Sequence, residues 1–234
     1  MLDNSLLTRD LKLNVITNRH PQTKDFKAIQ TRVYDFWHRI WLKTFDELNG
    51  EKQLYSDDFH RQDEITFLTY RGEVISYFSF SFFDLSLRSH AEHSYFKNYP
   101  ADVLAKLNDM GLTRVMTMGW FAVSPEWRKS SRGKLIAEAQ LAMGYKRYLE
   151  SDCDALIAFA RNNRKVNELC YMYGSRCIKA DQIVHHVSVD FLYTLKNEVR
   201  SNPDPSIASV VDHLWANRII HNSTPAKDSG KVAA

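Results

Sequence analysis

The sequence has few cysteines and no long hydrophobic run, and each of these features argues against one class of protein. Cys153, Cys170 and Cys177 are an odd number without CxxC spacing, so reduced thiols are predicted rather than a disulfide framework. No apolar run is long enough to span a membrane. The first ten residues also lack the apolar core of a secretory signal. We therefore expect a cytoplasmic protein.

A strong charge of either sign is also missing. The 234 residues carry 31 basic and 28 acidic side chains, and this near balance argues against a dedicated nucleic-acid binder. The chain contains no internal repeat and no low-complexity tract. With 44% hydrophobic and 12% aromatic residues, it can bury a substantial core in one large domain or two small ones.

The most informative segment is the loop that follows residue 123. A β-rich run over 114–123 precedes it, and a helix-patterned run over 134–150 follows it. Such a loop presents free backbone N–H groups at the positive end of a helix, where phosphate oxygens bind well. The segment is therefore interpreted as a diphosphate cradle, with an ordinary basic strand–helix turn as the alternative.

The composition of this loop suits a diphosphate. Small residues let the backbone approach a ligand closely, and Ser130, Ser131 and Gly133 are small. Cationic side chains add positive charge around the loop, namely Arg128, Lys129, Arg132 and Lys134. The loop alone does not separate the two interpretations, so its context matters.

The surrounding pattern predicts a mixed α/β (α+β) domain with one continuous core. Strand patterns cover 11–17, 65–70, 74–83, 114–123, 155–160 and 183–192. Helix patterns cover 26–49, 101–108, 134–150 and 163–173, and Asp204-Pro205 begins a C-terminal helix. We predict a main domain over 1–198, this last helix within 199–222 and a disordered tail over 223–234.

The central motif resembles the acyl-CoA signature of the GNAT acyltransferase superfamily. The pattern Val-x-Pro-x-x-Arg-x-x-Ser-x-Gly begins at Val123, and Arg128, Ser131 and Gly133 occupy the three signature positions. Ser131 stands where the family usually has its first Gly. The resemblance implies a mostly antiparallel central sheet flanked by helices.

A second GNAT marker is an Asn followed by an Ala, a Tyr and a Gly, and its positions hold Asn163, Val166, Cys170 and Gly174. Cys170 therefore replaces the Tyr that members often use to protonate the departing thiolate. Tyr171 and Tyr173 lie beside it. These three residues are the candidates for that catalytic role.

The resemblance implies direct transfer from a thioester donor to a small-molecule amine, without a covalent enzyme intermediate. The donor would be acyl-CoA or acetyl-CoA, or an acyl carrier protein, and no metal is expected. By position, Phe121 and Val123 would bind the pantetheine arm, residues 129–134 the diphosphate, and Asn163 would lie near the pantetheine. Within that loop these are Lys129, Ser130, Ser131, Arg132, Gly133 and Lys134.

No general base is evident, because the strand over 116–123 contains no Asp, Glu or His. Element ends and the long connection over 84–112 supply four candidates, each with a surface role as the alternative: Glu47, Asp84, His90 and His93. The pair His185-His186 is expected to lie on a strand and to bind nothing.

The long aromatic helix and the long connection resemble one GNAT subgroup, the N-acyl amino acid synthases. These are relatives of the acyl-homoserine lactone synthases and use long acyl chains. Relatives usually have a Glu and an Arg on the strand before the motif, where this chain has Thr117 and Trp120. Homoserine lactone chemistry is therefore not expected. Trp120, Phe121 and the 78–83 run could still line an apolar tunnel, with core packing as the alternative.

The primary hypothesis is therefore a GNAT-type N-acyltransferase, either an N-acetyltransferase or an N-acyl amino acid synthase. A catalytically silent module that binds acyl-CoA or a protein partner is the alternative. A third hypothesis is a nucleic-acid-associated protein that uses the basic patch over 128–134, which would bind with a steep salt dependence.

Overall fold

The protein is described from a computed structural model, which covers residues 9–17 and 24–221. These residues form eight strands: β1 Leu11–Ile16, β2 Glu64–Tyr70, β3 Glu73–Asp84, β4 Arg114–Val123, β5 Ala155–Arg161, β6 Arg176–Val184, β7 Val187–Thr194 and β8 Ile219–His221. They form one sheet in the order β6-β7-β5-β4-β3-β2-β1-β8. Only the β4–β5 and β1–β8 pairs are parallel. The predicted mixed, mostly antiparallel fold is confirmed.

Eight helices are described: α1 Lys24–Asn49, α2 Asp57–His60, α3 Arg88–Ala91, α4 Ala101–Asp109, α5 Pro125–Arg128, α6 Gly133–Leu149, α7 Val166–Met172 and α8 Pro205–Ala216. Two short 3₁₀ helices cover Ser94–Asn98 and Lys196–Glu198. No helix of the described ranges combines the length and hydropathy needed to cross a bilayer.

The helices cover the two faces of the sheet. Successive side chains of a strand point to opposite faces. Leu156 and Ala158 of β5 pack into a core cluster with α6 and α8, whereas Ala155 and Ile157 pack into a cluster with α4. The aromatic side of α1 shares this second face, where it buries Phe67 of β2. We call the two sides the α6 face and the α1 face.

The amphipathic pattern of α1 explains its position. Its buried residues recur at helical spacing and are Phe26, Val33, Phe36, Trp37 and Phe45. Gly50 follows the helix with φ +74°, and its N–H bonds to the Asp46 carbonyl at 3.0 Å. The predicted helix end at Asn49-Gly50 is confirmed, since glycine reaches this left-handed conformation without strain.

The predicted single strand over 183–192 is wrong. The structure has the hairpin β6–β7 there, and His185 and His186 form its two-residue turn rather than part of a strand. Both residues have positive φ, at +48° and +63°, as a type I′ turn requires. The turn could not be predicted from the sequence, because turns of this type usually carry Asn and Gly. In addition, irregular pairing in β6 interrupts the alternation expected of a strand.

The C-terminal segment is joined to the sheet. The Asp204 carboxylate accepts a bond from the Ser206 N–H at 2.9 Å, as predicted for an N-cap, and Pro205 begins α8. The apolar side of α8 packs on α6. Strand β8 then pairs with β1. The predicted tail over 223–234 lies outside the described residues.

Candidate functional site

The central strands β4 and β5 pair only at their beginnings. Three registered pairs join them, the last being Thr117 with Ile157, although β4 continues to Val123 and β5 to Arg161. The strands therefore diverge beyond this point. The backbone edges that face this opening have no neighbouring strand, so their N–H and C=O groups can bind a ligand in an extended form.

A β-bulge lies on β4 where the opening begins. Gly119 is opposite Ser79 and Ala122 is opposite Tyr77, so two residues of β4 face one residue of β3. One of the two, Trp120, has φ +61°, a strained conformation for a bulky residue. Such a bulge redirects the strand edge toward the opening.

Helix α1 holds this bulge in place. The indole N–H of Trp41 donates to the Trp120 carbonyl at 3.2 Å. The Trp120 ring packs against Trp41, Trp37 and Phe45, with centroid distances of 5.0, 5.3 and 6.1 Å. These contacts offset the backbone strain at Trp120. The aromatic residues of α1 thus shape the site as well as the core.

A cavity of about 560 Å³ passes through the opening and reaches both faces of the sheet. Its apolar end lies under α6 and α7 and is lined by Phe78, Met118, Leu141, Ala158 and Cys170. Its polar end lies on the α1 face and includes Gln62, His93, Lys97, Arg161 and His185. The cavity can therefore hold an apolar chain at one end and a polar molecule at the other.

The predicted diphosphate loop lies between β4 and α6. Four of its amides, those of Lys129, Ser130, Arg132 and Gly133, already donate to acceptors within the α5–loop segment. The amides of Ser131, Lys134 and Leu135 have no protein acceptor in the described chain. They lie at the start of the 17-residue α6, where the helix dipole favours an anion.

The small residues of this loop serve its own packing. A Cβ atom at Gly133 would lie 2.7 Å from the carbonyl oxygens of Trp127 and Arg128, so only glycine fits there. The Ser130 hydroxyl donates to the Trp127 carbonyl at 2.7 Å and accepts the Arg132 N–H at 3.2 Å. The loop is thereby fixed before any ligand binds.

Three guanidinium groups come together near the loop, from Arg128, Arg161 and Arg164. Burial lowers the pKa of Arg128, and repulsion from Arg164 lowers it further. The pKa of Arg161 is lowered by burial and then by both other arginines. Glu47 opposes both pKa shifts, and Glu126 also opposes that of Arg128. Positive charge is therefore in excess, as an anion-binding site requires.

The three predicted catalytic residues lie in different environments. Cys170 lines the apolar end of the cavity, and burial raises the pKa of its thiol to about 12, which keeps it protonated. The Tyr171 hydroxyl donates to Asp190 outside this cavity. The Tyr173 hydroxyl is buried and donates to the Glu138 carbonyl at 3.0 Å. Of the three, only Cys170 borders the cavity, and its catalytic role stays a prediction.

The predicted cofactor-binding positions are also dispersed. Phe121 lines the cavity beside the bulge, whereas Val123 is buried in the core of the α6 face. Asn163 is exposed in the turn after β5, and its side-chain oxygen accepts the Arg161 Nε–H at 3.2 Å. Lys129 is exposed at the loop, and Arg132 is partly buried there. These binding roles stay predictions.

Among the predicted bases, only His93 borders the cavity. Its Nδ1 accepts the Tyr95 N–H at 3.1 Å, so the neutral ring carries its proton on Nε2. Burial and then Arg61 lower its pKa. In the same way, the Nδ1 of His90 accepts the Asp84 N–H at 2.9 Å. Glu47 lies beside the arginine group rather than in the cavity lining.

Sequence reasoning missed Arg161 and His185, which both line the cavity. Arg161 is the last residue of β5, and a cation at the end of a buried strand was a usable signal. No comparable signal marked His185, because its position depends on the hairpin turn. Among the described residues, no group of three or more His, Cys, Asp or Glu is arranged to hold a metal ion.

No protein-family model matches the sequence, and no curated protein sequence is detectably similar. Solved structures do match. A CoA-dependent acyl-homoserine lactone synthase, BjaI, solved with SAM and isopentyl-CoA, is 11% identical with a TM-score of 0.53, over 92% of this chain and 94% of that chain. TofI, solved with an inhibitor and MTA, is 11% identical with a TM-score of 0.51, over 86% and 96%.

A third match is FeeM, an N-acyl amino acid synthase from uncultured soil microbes, at 13% identity and a TM-score of 0.48, over 80% of this chain and 93% of that chain. At these identities the matches with TM-scores above 0.5 establish the fold alone. The chain has a GNAT-like fold, and the resemblance drawn from the central motif is confirmed for the fold.

Proposed function

We propose that the protein is an acyltransferase that moves an acyl group from a thioester donor, acyl-CoA or an acyl carrier protein, to a primary amine by direct attack. The observation that carries this proposal is the cavity that passes between the diverging ends of β4 and β5, since β4 continues from this opening into the predicted diphosphate loop. An extended pantetheine arm needs an unpaired strand edge, and a diphosphate needs convergent donors. Here the end of β4 supplies the first and leads along the chain to the loop that would supply the second.

The residues present fit a diphosphate. The free amides of Ser131, Lys134 and Leu135 supply donors at the start of α6. The guanidinium groups of Arg128 and Arg164 supply positive charge. A CoA donor would bring its diphosphate to this group, and the same residues would receive the single phosphate of a carrier-protein arm.

The thioester would lie at the bulge, where the turned strand edge offers backbone N–H groups to its carbonyl oxygen. The amine attacks the carbonyl carbon, the C–S bond breaks, and the sulfur leaves with the electron pair. The protonated thiol of Cys170 lines the apolar end of the same cavity and is the candidate for returning a proton to the thiolate.

The shape of the cavity supports a donor longer than acetyl, as in the N-acyl amino acid synthase type. Its apolar end extends from Phe78 and Met118 to Leu141 under α6. A methyl group would leave most of this space unfilled. Each buried methylene contributes about 0.8 kcal/mol to binding, so a longer chain should bind more tightly.

Calorimetric titration tests the proposal with acetyl-CoA, octanoyl-CoA and an octanoyl-loaded acyl carrier protein. We expect octanoyl-CoA to bind at least about tenfold more tightly than acetyl-CoA, and Arg128→Gln to weaken its binding about tenfold. Arg88→Gln is the matched control, because Arg88 pairs with Glu92 on the exposed surface. The absence of binding by all three donors would refute the proposal.

One observation favours a second candidate, a module that binds the donor without turnover. Cys170 replaces the family's tyrosine, and a thiol with a pKa of about 12 is a weaker acid than an ordinary tyrosine. Release of free thiol from octanoyl-CoA distinguishes the two. Release that depends on an added amine would exclude the silent module, whereas binding without release would support it.

A further inference from the structure

We infer that His185 is the general base that deprotonates the acceptor amine, and that the acceptor enters between α1 and the β6–β7 turn. This inference rests on the proposed acyl transfer and adds to it the residue that activates the acceptor. It arises from a free imidazole at the polar end of the cavity, on the same face of the sheet as the bulge.

The first observation is the position of the ring. His185 lines the cavity, and its ring packs edge-on against Phe45 of α1 at 5.4 Å between centroids. Phe45 in turn contacts Trp120 of the bulge at 6.1 Å. Phe45 therefore contacts both the imidazole and Trp120 of the bulge, where the thioester would lie.

The second observation is that neither ring nitrogen of His185 bonds to any side chain or backbone group of the described chain. The other histidine of the cavity differs, because His93 uses its Nδ1 to accept the Tyr95 N–H. A neutral His93 therefore presents only a protonated nitrogen to the cavity. His185 alone among the cavity's imidazoles keeps an unprotonated nitrogen available to a substrate.

The third observation is the conformation of the turn. His185 and His186 both have positive φ, which costs a residue with a side chain more than it costs glycine. Asn-Gly would form this turn with less strain. This turn conformation directs the His185 ring toward Phe45 of α1.

The charges around the ring favour its neutral form. Partial desolvation lowers the pKa of His185 most, and the nearby Lys97 and then His186 lower it further. Glu51, which also lines the cavity, opposes this shift. The imidazole is therefore unprotonated at pH 7 and ready to accept a proton.

The step balances as follows. The neutral His185 ring takes one proton from the ammonium group of the acceptor. The freed lone pair attacks the thioester carbonyl, the C–S bond breaks, and a second amine proton passes to the departing thiolate. The products are the amide, the free thiol and protonated His185, which releases its proton to water.

The test measures amine-dependent thiol release from octanoyl-CoA with a mixture of the natural amino acids as acceptors. We expect His185→Gln to lower kcat/KM by about 10²-fold or more. The matched control is His186→Gln, the neighbouring turn residue with the same backbone conformation, which does not line the cavity. It should stay within about twofold of the native protein, since it removes no proton acceptor from the site.

Two further readouts separate a base from a structural residue. Hydroxylamine is largely unprotonated at pH 7, so it should react almost equally fast with the native protein and with His185→Gln. Imidazole added to the His185→Gly variant should restore part of the amino-acid rate. The native rate should fall at low pH as His185 becomes protonated, and this limb should be absent in His185→Gln.

The outcomes are distinct. An inactive native protein would overturn both the acyltransfer proposal and this inference. An active native protein whose rate and pH profile are unchanged in His185→Gln would overturn only the inference. Equal losses with amino acids and hydroxylamine would also overturn it, because they would indicate a structural role. If Glu51→Gln abolishes the fall in rate at low pH and His185→Gln does not, the general base is Glu51 instead.

Discussion

The two faces of the sheet are packed by different means. On the α6 face, a single methyl group would meet backbone carbonyls at Gly133 and Gly174 and the Met118 side chain at Gly144. On the α1 face, large rings fill the space, among them Trp37 and Trp120. No glycine described on that side has a comparable close contact, since the turn glycines Gly50, Gly72 and Gly111 have open space around them.

This difference matches the parts that the faces contribute to the site. The proposed donor loop begins α6 and needs backbone amides in fixed positions. The proposed acceptor side lies on the α1 face, where side chains determine shape and charge. A binding site formed by backbone amides tolerates few substitutions in the segments that position them. A binding site formed by side chains can acquire a different ligand when those residues are substituted. The three predictions below test this contrast by stability, from the largest expected effect to the smallest.

The largest effect is expected at Gly174. It has φ +101°, and a Cβ atom there would overlap the Glu198 carbonyl oxygen. Gly174→Ala should lower the free energy of unfolding by about 4 kcal/mol, as measured by urea denaturation. The control is Gly72→Ala, with φ +85° and no atom nearby, which should cost about 1–2 kcal/mol. Equal losses of unfolding free energy in the two variants would mean that the close backbone contact on the α6 face adds no cost of its own.

A smaller effect is expected at Gly144 in the middle of α6. A Cβ atom there would lie 2.6 Å from the Met118 sulfur and 3.1 Å from the Phe78 ring. Overpacking costs about 1–3 kcal/mol, and the better helix propensity of alanine returns about 1 kcal/mol. Gly144→Ala should therefore lose about 1 kcal/mol of unfolding free energy. Because Phe78 and Met118 line the cavity, it should also weaken octanoyl-CoA binding more than acetyl-CoA binding.

The smallest effect is expected at Trp37 on the α1 face. Its indole is fully buried, and its N–H has no partner in the described chain. Trp37→Phe loses apolar burial but removes an unpaired donor, so stability should change by less than about 1 kcal/mol. Trp41→Phe should cost more, about 1–2 kcal/mol, because it leaves the Trp120 carbonyl without its donor. A loss above about 3 kcal/mol at Trp37 would contradict a tolerant α1 face.

Much of the fold followed from local pattern. The β-rich run over 114–123, the helical spacing in α1 and the Asp204-Pro205 cap each reflect interactions within a few residues, and their elements were predicted. The hairpin at His185 was not, because its strained turn lacks the usual Asn-Gly. Likewise, the position of the signature loop could be predicted from the sequence. The number of its backbone amides that lack a protein acceptor could not. That number depends on bonds such as Gly133 N–H to the Ser130 carbonyl.

By itself the sequence determined most of the elements, the GNAT resemblance and the place of the predicted diphosphate loop, because helix and strand periodicity and small-residue motifs act over short distances. Only the tertiary structure decided which titratable groups share a cavity. Arg161 from the end of β5 and His185 from the β6–β7 turn meet at one opening because β4 and β5 stop pairing at Thr117 and Ile157. That divergence is a long-range property of the sheet.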